Sequence, residues 1–117
     1  MKISTMKELL NAEVLCCEEN VEREVYSACG CDLMSDVLAY VKDQAVLLTG
    51  LVNPQVIRTA VMMDMVCVVF VRSKMPSEEM LGLAKDSGIV VMTTDKRLYE
   101  ACGILYSNGL IGNKTKA

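Results

Sequence analysis

AVLLTGLVNPQVIRTA, residues 45–60, reads as a buried strand, a tight turn and the first turns of a helix. The run 45–49 is apolar apart from its last residue, as expected of a strand covered on both faces. Asn53 suits the helix N-cap, because its side chain can accept from a free amide. Pro54 suits the first helical position, where no donor is needed. The helix is predicted over 54–64, with Ile57, Ala60, Val61 and Met65 inward and Arg58 and Thr59 to one side.

The same unit recurs down the chain. Further apolar strands are predicted at 67–71 and 89–93, separated by a helix that starts after Pro76, has Ser77 as cap and Glu78 and Glu79 at its positive end, and stops at Gly88. A last helix is predicted over 95–101 with Asp95 as cap. Upstream the pattern is less regular: a short helix at 5–10, strands at 13–16 and 25–29, and a helix over 32–42 with Leu33, Val37, Leu38 and Val41 inward. Repeated strand–helix units imply a mainly parallel sheet with helices on both sides. The fold class predicted is α/β, a single three-layer domain over 1–112, with a disordered tail over 113–117.

Composition narrows the function classes. The chain has 117 residues, 52% apolar and 23% charged, which suits one packed core. Its net charge is −3, with basic residues scattered along the chain, so the electrostatic footprint of a nucleic-acid binder is missing. Its apolar runs are far shorter than the roughly 20 residues of a membrane span. Residues 1–10 carry Lys2, Lys7 and Glu8 where a secretory signal would be continuously apolar, so a cytoplasmic location is expected.

There is no histidine, which removes the commonest general base and the usual activation of Ser or Cys nucleophiles. No catalytic residue is assigned, and no cofactor. The six cysteines include no C-x-x-C pair and read as reduced, mostly buried thiols, with a metal cluster of Cys16, Cys29 and Cys31 as the alternative. No metal site is assigned.

The loop 49–54 joins a strand to a helix N-terminus and is a candidate receiver for an anion, although it lacks the lysine and glycines of a P-loop. Ligands of open α/β sheets gather at the carboxyl ends of strands. That rule brings Thr49, Gly50, Arg72, Ser73, Thr93 and Thr94 to one rim. The plain alternative is that Gly50 only makes a turn. Arg58 reads as an ion-pair partner of Asp36 or as an anion clamp. Asp32 and Asp36 read as cap and dipole partners of their own helix. The ligand-binding set is therefore Thr49, Gly50, Asn53, Arg58, Arg72 and Thr94, with Asp36 and Arg58 as a structural pair.

Several blocks, in order, resemble the DRTGG domain family: CDLMSDVLA (31–39), LLTGL (47–51), NPQVIRTA (53–60), VVFVR (68–72), LAK (83–85), ACGILY (101–106) and GL (109–110). Asp36, Arg58 and Thr59 match letters of the family name. Ser73, where Gly is usual, and Asp95 with Lys96 depart from the pattern. The resemblance implies a fold similar to the N-terminal domains of HPr kinase/phosphorylase and of Mur ligases. It also implies an accessory role, since such domains accompany CBS domains in regulated pyrophosphatases and occur in some phosphate acetyltransferases and as free-standing proteins.

The function it implies is a non-catalytic regulatory module that senses a small anion or adenine nucleotide. A homodimer is expected, because pairing protects a short sheet's edge. The alternative is a module that docks a redox or metabolic enzyme through an exposed patch around Met62, Met63 and Met65.

Overall fold

The structure is a computed structural model and describes residues 1–40 and 44–111. The elements run α1 (Ile3–Leu10), β1 (Glu13–Cys16), a 3-10 turn (Glu18–Asn20), β2 (Ser27–Gly30), α2 (Met34–Tyr40), β3 (Ala45–Thr49), α3 (Pro54–Met62), β4 (Cys67–Phe70), α4 (Glu78–Ser87), β5 (Val90–Thr93) and α5 (Leu98–Ser107). Five strands form one sheet in the order β1-β5-β4-β3-β2. The pairs β2–β3, β3–β4 and β4–β5 are parallel, and β1 closes the far edge antiparallel to β5.

From β2 to β5 each crossover moves one place in the same direction. Right-handed crossovers of that kind carry their helices to one face. Accordingly α3 packs between α2 and α4, while α1 packs on α5, which covers β3 from the other side. Every residue of β3, β4 and β5 is buried. The core they form is aliphatic and Met-rich around a single phenylalanine, Phe70. No helix among the described residues is long and apolar enough to cross a membrane.

The signals read from the sequence at residues 45–60 act as expected. Asn53 Oδ1 accepts from Gln55 N–H at 2.9 Å, with Pro54 at the first position of α3. Ser77 Oγ caps α4 by accepting from Met80 N–H at 3.2 Å, and Gly88 closes that helix at φ 71°.

Four readings need correction. Helix α5 begins at Leu98, and its N-cap position is Arg97, which makes no side-chain cap, rather than Asp95. The stretch before it is held elsewhere: Arg72 N–H donates to Lys96 C=O and Ser73 N–H to Thr94 C=O, each at 2.8 Å. The helix then runs through Gly103, whose cost of about 1 kcal/mol is offset by burial of Ala101 and Leu105.

Helix α2 begins at Met34, and its inward residues are Met34 and Val37, whereas Leu33 and Leu38 are exposed; Val41 and Lys42 lie outside the described residues. Strand β2 starts at Ser27, because Val25 N–H is taken by Met1 C=O at 2.7 Å and the chain there pairs with the N-terminal segment. On α3, which is flanked by two helices, the buried arc is Val56, Ile57, Thr59 and Ala60. Val61 is left 41% exposed, and Asp64, in the left-handed region, lies beyond the helix end. The expected tail falls outside the described residues.

Gly30, at the end of edge strand β2, admits α5 to close range: a Cβ there would overlap Cys102 Sγ. Gly30→Ala is expected to cost about 1–3 kcal/mol through overpacking. In a urea-unfolding double-mutant cycle, Cys102→Ala is expected to recover most of that loss. Strict additivity of the two changes would show that α5 does not press on Gly30.

Candidate functional site

The carboxyl ends of the parallel strands form one rim. β2 delivers Asp32, β3 delivers Thr49 and Gly50, β4 delivers Arg72 and Ser73, and β5 delivers Thr93 and Thr94. A two-sided buried sheet leaves its unpaired polar groups at these ends, so this is where ligand chemistry collects.

At the β2–β3 end of the rim sits a carboxylate that the sequence reading assigned to a helix cap. Asp32 Oδ1 accepts from Thr49 Oγ1 and from Gly50 N–H, each at 2.8 Å. Thr49 Oγ1 in turn accepts from Leu51 N–H at 3.1 Å. The loop amide offered to an incoming anion is thus already bonded to an internal one. The Gly50 amide holds the Asp32 carboxyl below its ordinary value of 3.8. Burial opposes this, and the Thr49 hydroxyl, the Arg72 charge and the Leu51 amide add to it.

Asp32 was legible in principle. It lies just past the end of one parallel strand, as Gly50 does past the next, and neighbouring parallel strand ends are spatial neighbours. The helical pattern that follows hid it.

Arg72 lies on the other side of Gly50. A Cβ on Gly50 would fall 2.6 Å from a terminal guanidinium nitrogen, so with glycine here the arginine lies across the turn, and a larger residue would push its flexible end aside. Arg72 is exposed and has no ion pair among the described residues. Arg72 and Ser73 both adopt left-handed backbone, φ 58° and 57°. That conformation costs an L-residue roughly 1–2 kcal/mol. It is fixed by the two bonds to the Thr94–Lys96 segment and by Lys74 N–H donating to Val71 C=O at 3.2 Å.

The other predicted residues have different roles. Thr94 is buried, and its hydroxyl donates to Leu10 C=O at 2.7 Å, tying α1 to the rim. Thr93 Oγ1 donates to Lys74 C=O at 2.8 Å. The side-chain oxygen of Asn53 is committed to its cap. Arg58 does not pair with Asp36. It reaches Glu79 of α4 at 3.7 Å, on the outer face of the helices, while Asp36 lies near Cys29 and helps raise that thiol's pKa. Of the six predicted residues the structure therefore brings Thr49, Gly50 and Arg72 together, adds Asp32, and takes Arg58 away.

A cavity of about 320 Å³ adjoins the rim, lined by Asn11, Glu13, Ser73, Met75, Thr93, Thr94 and Asp95. A larger cavity, about 540 Å³, opens at the opposite ends of the strands among Arg23, Gln44, Asp64 and Ile89, away from the rim donors. Of the methionine patch, Met62 is exposed beside Ile57, Val61 and Leu83, Met63 is half-buried and Met65 is buried.

The cysteine cluster does not assemble. Cys16 on β1 and Cys29 on β2 sit on opposite edges of the sheet, four strand spacings or about 19 Å apart. Among the described residues no group of Cys, Asp or Glu side chains could hold a metal ion. Burial pushes the Cys17 and Cys29 thiols up to about 11, and raises Cys67 and Cys102 as well.

Helices on both faces of a mostly parallel sheet, with a polar rim where its strands end, define an α/β domain. The family model of the DRTGG domain matches residues 5–107, and the chain belongs to the DRTGG domain family. No curated protein matches its sequence. Among solved structures it is similar to the CBS and DRTGG domains of the regulatory region of Clostridium perfringens pyrophosphatase, complexed with the activator diadenosine tetraphosphate. The TM-score is 0.74 at 18% identity, over 89% of this chain and 45% of that one. The chain thus spans less than half the length of that protein, and the likeness is one of fold.

Two outcomes are expected from this geometry. Ser73→Gly should raise stability by about 0.5–1 kcal/mol, relief of the left-handed Cβ outweighing the freer unfolded chain; a lower urea midpoint would mean that Ser73 is not strained. Because the Asp32 pKa is lower in the folded state, its contribution is present above the ordinary carboxylate value of 3.8 and is lost as pH falls through the folded value. Asp32→Asn should therefore flatten part of the acid limb of the stability curve. An acid limb identical to wild type would remove Asp32 from that account.

Proposed function

We propose that the chain is a non-catalytic regulatory module whose strand-end rim binds a small phosphorylated ligand, an adenine nucleotide being the favoured class. The observation that carries this reading is Arg72. It is an exposed guanidinium without an ion-pair partner among the described residues, laid across Gly50 where several strands end. Holding it there requires two consecutive left-handed non-glycine residues. Strain of that kind clusters at ligand sites.

The nucleotide class draws support from the pyrophosphatase regulatory region of similar fold, which was crystallised with diadenosine tetraphosphate. A non-catalytic role is in keeping with a chain that has no histidine. Self-association belongs to the same proposal, with edge strand β2 and the groove of Ile57, Val61, Met62 and Leu83 as its two candidate faces.

A ligand bound only by the native state raises the melting temperature with concentration. Diadenosine tetraphosphate or ATP is expected to do so for the wild-type chain. Arg72→Ala is expected to weaken the binding about tenfold or more, with the melting temperature of the unliganded protein little changed. A flat response to every nucleotide, or an Arg72→Ala variant that binds like wild type, would sink the proposal.

A further inference from the structure

Asp32 presents two carboxylate oxygens, and both of its 2.8 Å bonds from the 49–50 turn fall on the same one. Oδ1 takes both the Thr49 hydroxyl and the Gly50 amide, and among the described residues no hydrogen bond reaches Oδ2. Asp32 is an exposed residue at the rim. Across Gly50 lies the Arg72 guanidinium, close enough to act on the Asp32 charge yet forming no ion pair with it. The rim thus sets a free anionic acceptor beside a planar fork of donors, with the glycine turn between them.

Three kinds of ligand meet that pair differently. A bare phosphate or polyphosphate can use Arg72, but it finds the Gly50 amide occupied and the Asp32 charge opposing it. A neutral sugar can donate to Asp32 but leaves the guanidinium unused. A phosphorylated ribose satisfies both: its vicinal hydroxyls donate to a carboxylate, and its phosphate oxygens accept from a guanidinium in bidentate geometry.

We infer that Asp32 and Arg72 together select a phosphorylated ribose, with Asp32 as the residue that demands ribose hydroxyls and rejects inorganic anions. This rests on the nucleotide-binding reading of the rim and adds its specificity. Asp32 has in that case two roles: one oxygen positions the loop and the other reads the ligand. Asn at this position keeps an oxygen for Gly50 N–H and replaces the second acceptor by a donor, so it separates the two roles.

The test is isothermal titration of the full chain with ATP, with 2′,3′-dideoxy-ATP, and with inorganic triphosphate. Wild type is expected to bind ATP about tenfold or more tightly than the dideoxy compound, which has no ribose hydroxyls to donate to the charged acceptor. It is expected to bind triphosphate weakest of the three. In Asp32→Asn the preference for ATP over its dideoxy analogue should vanish and triphosphate affinity should rise.

Equal affinity of wild type for ATP and dideoxy-ATP, or triphosphate binding as tight as ATP, would overturn the inference while leaving the nucleotide reading standing. So would an Asp32→Asn variant that keeps the preference. If wild type binds none of the three, the inference fails, and the melting response to diadenosine tetraphosphate then decides whether the nucleotide reading fails with it. The wild-type comparison needs no variant, so a poorly folded Asp32→Asn protein does not spare the inference.

Discussion

Three adjacent strands with no exposed residue, β3, β4 and β5, are the constraint from which the rest follows. A strand covered on both faces spends its backbone polar groups in the ladder, and its side chains on packing. Whatever polar chemistry the domain keeps must then sit where the strands stop. The arrangement of Asp32, Thr49, Gly50 and Arg72 is that consequence worked out in residues. It also accounts for the rim's economy, in which most side-chain oxygens already hold a neighbouring loop in place. Thr94 anchors α1, Thr93 anchors Lys74, and Asn53 anchors α3.

The parts of this design that can be read from the chain are those governed by local rules. β3 and the start of α3 follow from an apolar run, an Asn cap and a proline, and the limits of α4 from Ser77 and Gly88. These signals act within a few residues and leave their mark in sequence. Gly50 and Arg72 reach the rim by the strand-end rule alone, which identifies an edge.

What was not legible depends on pairings between distant segments. Asp95 is an acceptable cap by its chemistry, yet the backbone around it is claimed by Arg72 and Ser73, more than twenty positions earlier. Asp32 looks like a helix cap until β2 and β3 are known to lie side by side, at which point its carboxylate faces the Gly50 amide. Arg58 could be assigned to Asp36 because both helices pack together, but which face each presents is set by the layer, and α4 offers Glu79 instead. The cysteine triad failed for the same reason, since strand order is invisible in the spacing of Cys16 and Cys29.

The strand order also bears on how the molecule is made. From β2 to β5 each new strand joins the one just completed, so the sheet can grow by accretion as the chain lengthens. β1 is the exception, because its partner, β5, lies 75 to 80 positions further on. On a ribosome, β1 must therefore wait with its hydrogen-bonding edge unpaired until nearly the whole domain has emerged. During synthesis it is the segment most exposed to wrong partners and most in need of chaperones.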